Sequence, residues 1–290
     1  MTEPLTTGPL TTGPLPLTAG RRVALALGTP VALLVIGWTA LTAVAWAGQG
    51  SYRVNLAIPA RGHSVVVEVA AGQVTVGPAP GARIRVRGTA RYALARSTVR
   101  WQATAAEVAV HGQCRQPTGP CSFNFAVGLP ARVHSTISVG SGDLTARGLA
   151  GPVTLVADSG AVHASALSGH AEITDRSGTI TGSALSGASV LVQDSSGDIS
   201  LNALRGRDLT VEDKSGDITL TFARVPGRVQ VSDLSGNVRL VLPAGQTAYR
   251  VTASSAAGVT RVGVPTNPSS AHVITVTDQS GNVVVTRGHV

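Results

Sequence analysis

Eight aspartates stand at fixed offsets from a recurring Ser-Gly pair, and they are the residues of this 290-residue chain best spaced for chemistry. Asp175, Asp194, Asp213, Asp233 and Asp278 lie two positions before the Ser; Asp143, Asp198 and Asp217 lie two positions after it. Carboxylates in such a series could hold calcium, pair as acid and base for glycan cleavage, or accept the amides of their own turns. Ca²⁺ wants six to eight oxygens, and the Gly-Gly-x-Gly-x-Asp nonapeptide of calcium rolls is absent. A glycan-cleaving pair needs carboxylates converging in a cleft built by long loops, whereas these turns are short and equal. No Ser/His/Asp spacing suggests a nucleophile. Like charges ~5 Å apart cost on the order of 1 kcal/mol in water-like surroundings. A carboxylate accepting a turn amide gains roughly 1.5–3 kcal/mol, enough to offset that repulsion. The first five aspartates are therefore expected to be structural turn residues, with no catalytic residue, metal or cofactor.

Two further sets of residues carry possible chemistry. Cys114 and Cys121 flank Pro117, Gly119 and Pro120. A lone close pair outside the cytoplasm is expected to form a disulfide; a structural zinc site, the alternative, would want four ligands. Arg83, Arg85 and Arg87 alternate with Ile84 and Val86, so they share one strand face. That face is either simply solvated or a binding surface for anionic envelope polymers or lipid headgroups. Residues 48–140 carry ten Arg against Glu68 and Glu107, while residues 141–237 carry eleven acidic residues against seven basic. Nucleic acid is not the expected partner, because no aromatic residues interleave with the arginines.

The elements that must position these groups follow from the repeat. Ser-Gly recurs at 141, 159, 177, 196, 215 and 235, at intervals of 18, 18, 19, 19 and 20 residues. Around each copy the apolar residues alternate, as in Val190, Val192 before the pair and Ile199, Leu201 after it, which reads as two short half-buried strands. A second turn follows as Leu-x-Gly, for example Leu185-Ser186-Gly187, where glycine is expected to supply a positive φ. One such coil cannot bury its apolar face, but coils stacked ~4.8 Å apart bury a continuous column. The expected fold is all-β: a parallel β-solenoid with two short strands per 18–20-residue coil. A meander of antiparallel hairpins also fits the alternation, but it does not require one constant period. Residues 141–245 form the regular solenoid on this reading. Residues 48–140 are an irregular β region with N-terminal coils, and 246–290 are degenerate C-terminal coils or a cap.

Residues 1–20, with Thr-Thr-Gly-Pro-Leu twice in tandem, read as a disordered cytoplasmic tail. Arg21-Arg22 then precede Val23 to Ala47, without a charge and long enough to cross a hydrocarbon core of ~30 Å. Residues 21–47 are therefore expected to be a transmembrane helix, with the N-terminus cytoplasmic and the C-terminal domain extracellular. Ala45-Trp46-Ala47 also matches a signal-cleavage pattern, which would make the protein secreted.

Leu129-Pro130, Thr136-Ile137-Ser138-Val139, Ser141-Gly142-Asp143-Leu144 and the later Ser-Gly-Asp-Ile copies resemble the bacterial β-strand-repeat proteins called "putative adhesins", a family of unknown function. The resemblance covers about 125–285. It implies an anchored envelope protein with a parallel β-solenoid ectodomain and brings no catalytic residues with it. The expected function is non-catalytic: adhesion, scaffolding or envelope-stress sensing, with an anionic envelope polymer or another envelope protein as partner. The alternatives are a secreted, calcium-binding β-roll-like protein and a β-helix enzyme acting on polysaccharides.

Overall fold

Strands in this chain pair mainly with the equivalent strand one coil away, and only rarely with the next strand along the sequence. The computed structural model describes residues 33–40, 48–60, 62, 64–93, 95–115 and 120–288. Its strands are β1 (Gly50–Pro59), β2 (Ser64–Pro78), β3 (Arg83–Tyr92), β4 (Thr98–Ala103), β5 (Glu107–Gln113), β6 (Ser122–Leu129), β7 (His134–Ser141), β8 (Leu144–Arg147) and β9 (Val153–Ser165). Then come β10 (Ala171–Asp175), β11 (Gly178–Ser183), β12 (Ser189–Gln193), β13 (Ile199–Leu204), β14 (Asp208–Glu212), β15 (Ile218–Phe222), β16 (Arg228–Asp233) and β17 (Val238–Leu242). The last four are β18 (Arg250–Ser255), β19 (Thr260–Val262), β20 (Val273–Asp278) and β21 (Val283–Arg287).

The pairings build a parallel β-solenoid with two faces. One sheet, here the first, holds the strands that precede each Ser-Gly corner; the second holds those that follow it. In the first sheet Val192 lies beside Val211, and Val211 beside Val231. The column extends through Val67, Ile137, Leu155 and Ile173 on one side and Val276 on the other. A matching column in the second sheet runs Val74, Leu144, Val162, Ile180, Ile199, Ile218, Val238 and Val283. Every one of these side chains is buried. Each contributes roughly 1.5–3 kcal/mol by leaving water, so the thin core is long rather than wide.

The rungs do not stack in sequence order at either end. At the C-terminal end β20 pairs with β16 and β21 with β17, while β18 and β19 pair with the far sides of β20 and β21. The last coil of the sequence is therefore inserted beneath the coil that precedes it, and β18/β19 becomes the terminal rung. At the N-terminal end β2 sits between the rung formed by β5 and β6 and the rung formed by β7 and β8. Antiparallel strands cover that end: β4 lies on β5, and β3 lies between β6 and β1.

The two corners use glycine differently. At the Ser-Gly corner Gly216 has φ +150°, and its N–H donates to the Ser235 carbonyl of the next rung at 3.0 Å. At the Leu-x-Gly corner the expected positive φ falls elsewhere, on Ala166, Ala184 and Ala203, one residue before the Leu. Gly169 and Gly187 are needed there for space: a Cβ on Gly187 would overlap the carbonyl oxygen of Gly169 in the rung below. The left-handed alanines are held by rung-to-rung bonds such as Ala184 N–H to the Asn202 carbonyl, 3.0 Å.

The tail over 1–20 lies outside the described residues, as does the expected transmembrane helix over 21–47 apart from a short helical stretch at 33–40. Among the described residues, no helix is long and apolar enough to cross a membrane.

Candidate binding surface and the turn carboxylates

The five aspartates that precede Ser-Gly point into the corner, not out of it. In the rungs of β2, β7 and β9 the same inward position holds Val69, Val139 and Ala157. It then becomes Asp175 beside Ala157, continues through Asp194 and Asp213, reaches Asp233 beside Asp278, and ends at Ser255. All five carboxyls are buried. Asp194 Oδ1 accepts the amides of Ser195 at 2.7 Å and Ser196 at 3.2 Å, and Asp213 Oδ1 accepts Lys214 and Ser215 at 2.7 and 3.2 Å. Asp175 Oδ1 makes the same pair of bonds to Arg176 and Ser177. Ser235 and Ser280 donate to Asp233 and Asp278 at 3.1 and 3.0 Å.

The second oxygen, Oδ2, is buried without a hydrogen-bond partner in all five. Burial raises the pKa of Asp194 and of Asp233 to about 6. The turn amides pull the other way, and neighbouring carboxylates in the column add to the rise. Asp175 and Asp213 are raised for the same leading reason. Among the described residues no three His, Cys, Asp or Glu groups converge as a metal site.

The position after Ser-Gly builds a different device. Asp198 Oδ1 accepts the Asp217 amide at 3.0 Å, and Asp217 Oδ1 accepts the Asn237 amide at 2.9 Å and its side-chain NH₂ at 3.1 Å. Asn237 Oδ1 accepts both amides of Asn282, each at 3.2 Å, and Asn282 Oδ1 accepts Val259 N–H at 3.0 Å. Asn237 and Asn282 stand two positions after Ser235 and Ser280, where other copies carry Asp198 and Asp217. They continue one ladder across successive rungs, and an amide there carries no charge to repel the next rung.

Cys114 and Cys121 form a disulfide with Cα atoms 6.0 Å apart. Register places it at the corner of the β5/β6 rung, level with Ala71 and Ser141 of the neighbouring rungs.

Arg83, Arg85 and Arg87 lie exposed on the outer face of the second sheet. Their cross-strand neighbours are small. Arg85 sits between Ala57 and Gly128, with Gly77 beyond; Arg87 sits between Asn55 and Ala126, with Thr75 beyond. Arg53, Arg91, Arg147, Arg239 and Arg261 are exposed on other parts of this sheet. Among the described residues no strand segment within the second sheet contains an Asp or Glu, although Asp143, Asp198 and Asp217 stand one residue before β8, β13 and β15; segments of the first sheet contain Glu68, Glu107, Asp158, Glu172, Asp208 and Glu212. The two ion pairs among the described residues, His111–Glu68 at 2.9 Å and Arg176–Asp158 at 3.1 Å, both belong to the first sheet. The strands on either side of Arg83, Arg85 and Arg87, β1 and β6, thus bring no carboxylate to them.

Sequence reasoning found the three arginines by their alternation but missed what lies beside them. A shallow cavity of about 320 Å³ is bounded by Arg85 and Arg87, floored by Thr75, Gly77, Ala126 and Gly128, and closed at one end by Pro78, Ala79 and Pro80. Its floor comes from β2 and β6, which only the β3–β6–β2 pairing brings next to the arginines. The clue in the sequence was the run of small residues at outward positions of both strands.

A family described as Toastrack DUF4097 matches residues 128–286. Among solved structures, a "putative adhesin" from Bacteroides fragilis NCTC 9343 is similar at 8% identity and a TM-score of 0.42, over 81% of this chain and 96% of that one. A "putative cell adhesion protein" from Clostridium sporogenes ATCC 15579 is similar at 7% identity and a TM-score of 0.34, over 83% and 100%. A "putative lipid binding protein" from Parabacteroides distasonis ATCC 8503 gives 8% identity and a TM-score of 0.31, over 82% and 97%. Among curated proteins, none matches the chain.

Proposed function

The chain belongs to the Toastrack DUF4097 family, and from that premise we propose a non-catalytic envelope protein whose solenoid flank binds an anionic envelope polymer. Residues 21–47 anchor it in the cell membrane and the solenoid lies outside. The observation that carries this reading is the row Arg83, Arg85 and Arg87, exposed on a strand whose partners β1 and β6 contain no carboxylate. Guanidinium groups with no ion-pair partner are free to form charge-assisted bonds with phosphates or carboxylates, and a flat basic face gathers polyanions at low ionic strength. A non-catalytic role is supported by the turn carboxylates, whose Oδ1 atoms are occupied by their own turns and whose Oδ2 atoms face the interior.

The test is retention of the full chain on anionic cell-wall material across a salt gradient. Retention should fall steeply with salt and fall again in the variant carrying Arg83→Glu, Arg85→Glu and Arg87→Glu. Equal retention of that variant would discard the surface.

A further inference from the structure

The cavity beside Arg85 and Arg87 has features that a merely solvated basic face lacks. It has a floor, an end wall and a pair of cations on one side. The floor is made of backbone already paired within the sheet, so Gly77, Ala126 and Gly128 offer no free amide to a ligand. Polar recognition there falls to two guanidinium groups and the Thr75 hydroxyl. Among the described residues neither guanidinium has a hydrogen bond or an ion pair. Alternate residues on a strand are ~6.8 Å apart, so the two forks approach a ligand from neighbouring points on one side.

We propose that this cavity is a subsite for one polyol-phosphate unit of a phosphodiester polymer, with its phosphate held by Arg85 and Arg87. The assignment rests on the polymer-binding reading above and names its ligand. A phosphodiester offers two non-bridging oxygens to two forks, the pairing that planar guanidinium donors favour. The small floor leaves room for a slender carbon chain to lie against Gly77 and Gly128. The Pro78–Pro80 wall closes the end level with Arg83, so the polymer continues the other way along β3, past Arg87, where the exposed Arg53 and Arg91 take the next charge. The exposed Arg147 adds a cation on the far side of Gly77, one step beyond the Val76–Ala146 pair.

The experiment is titration of the full chain with a glycerol-phosphate oligomer, with a polyuronate oligomer of equal charge and with inorganic phosphate. The expected order is glycerol-phosphate oligomer first, at least tenfold tighter than the polyuronate, with inorganic phosphate weakest. The double variant Gly77→Val, Ala126→Leu keeps every arginine and fills the floor. Ala126 is exposed, and a Cβ on Gly77 would meet nothing closer than 3.7 Å, so its thermal midpoint should match that of the unaltered chain. It should lose at least tenfold in oligomer affinity while keeping its salt-sensitive retention on bulk polymer. Should the filled variant bind the oligomer as tightly as the unaltered chain, the subsite is overturned and the basic flank stands. Equal affinity for polyuronate and phosphate oligomers overturns the phosphate assignment. An unaltered chain that retains no polymer overturns both readings together.

Discussion

Asp278 lies directly beside Asp233 in the first sheet, although a whole coil of sequence, β18 and β19, comes between them. The contact joins two properties of the molecule: an unbroken column of buried carboxyls and a last coil that is threaded out of order. Each has a measurable consequence.

The carboxyl column makes the solenoid more stable in mild acid than at neutral pH. Asp194 and Asp233 have a folded pKa of about 6, above the ordinary 3.8. Their contribution is therefore complete below the unfolded value and is lost as pH rises through about 6. Each group is worth on the order of 2 kcal/mol over that interval. The thermal midpoint should rise by several degrees between pH 7.5 and pH 4.5. Asp194→Asn, which keeps the Oδ1 acceptor and removes the charge, should flatten the profile. A midpoint that falls steadily on acidification would contradict the column.

Asp194→Ala separates turn bonding from charge. It removes the acceptor for the Ser195 and Ser196 amides and leaves two part-buried turn donors without it. The loss should be roughly 2–4 kcal/mol in urea melts at pH 7.5, against less than about 1 kcal/mol for Asp194→Asn.

Gly216 and Gly245 both have positive φ, yet they should respond differently to alanine. At Gly216 the new Cβ would overlap the Gly197 carbonyl oxygen, forcing two rungs apart; at Gly245 nothing lies within 4 Å. Gly216→Ala should abolish soluble expression or cost more than about 3 kcal/mol, and Gly245→Ala should cost about 1 kcal/mol of backbone strain. Similar losses at both sites would show that φ alone, without rung contact, governs the corner.

Removing residues 273–290 should do more damage than removing residues 246–290. The shorter deletion exposes β16 and β17 and also strands β18 and β19, which pair only with β20 and β21. The longer one leaves a single open edge. Limited proteolysis should therefore cut the first variant within 243–272 and leave the second intact to its end.

Opening the disulfide should loosen one rung and not the stack. The Cys114–Cys121 bridge closes a short loop at the β5/β6 corner, worth about 2 kcal/mol by loop entropy. Cys114→Ser with Cys121→Ser should speed amide exchange in β5 and β6 and leave β12 to β17 unchanged.

Much of this architecture is legible in the amino-acid sequence because it is periodic. The Ser-Gly interval sets the rung, alternation sorts Val192, Val211 and Val231 inward and Arg83, Arg85 and Arg87 outward, and Asp before Ser identifies a turn that bonds its own amides. These features depend on neighbours within one coil. The place of glycine at the Leu-x-Gly corner was misread, because a clash with the rung below is invisible to a single coil.

Which coil lies on which was decided only by the tertiary structure. Coils of the same period and apolar pattern are nearly interchangeable as stacking partners, so local sequence does not rank β20/β21 above β18/β19 as the neighbour of β16/β17. The terminal coil is distinguished by what its inward positions lack: Ala253 and Thr260 stand where the neighbouring rung carries the buried Val276 and Val283. A face with so little to bury is best left at the end of the stack. The cavity beside Arg85 and Arg87 has the same origin, since an antiparallel β3 must dock on β6 before two arginines meet a floor donated by β2.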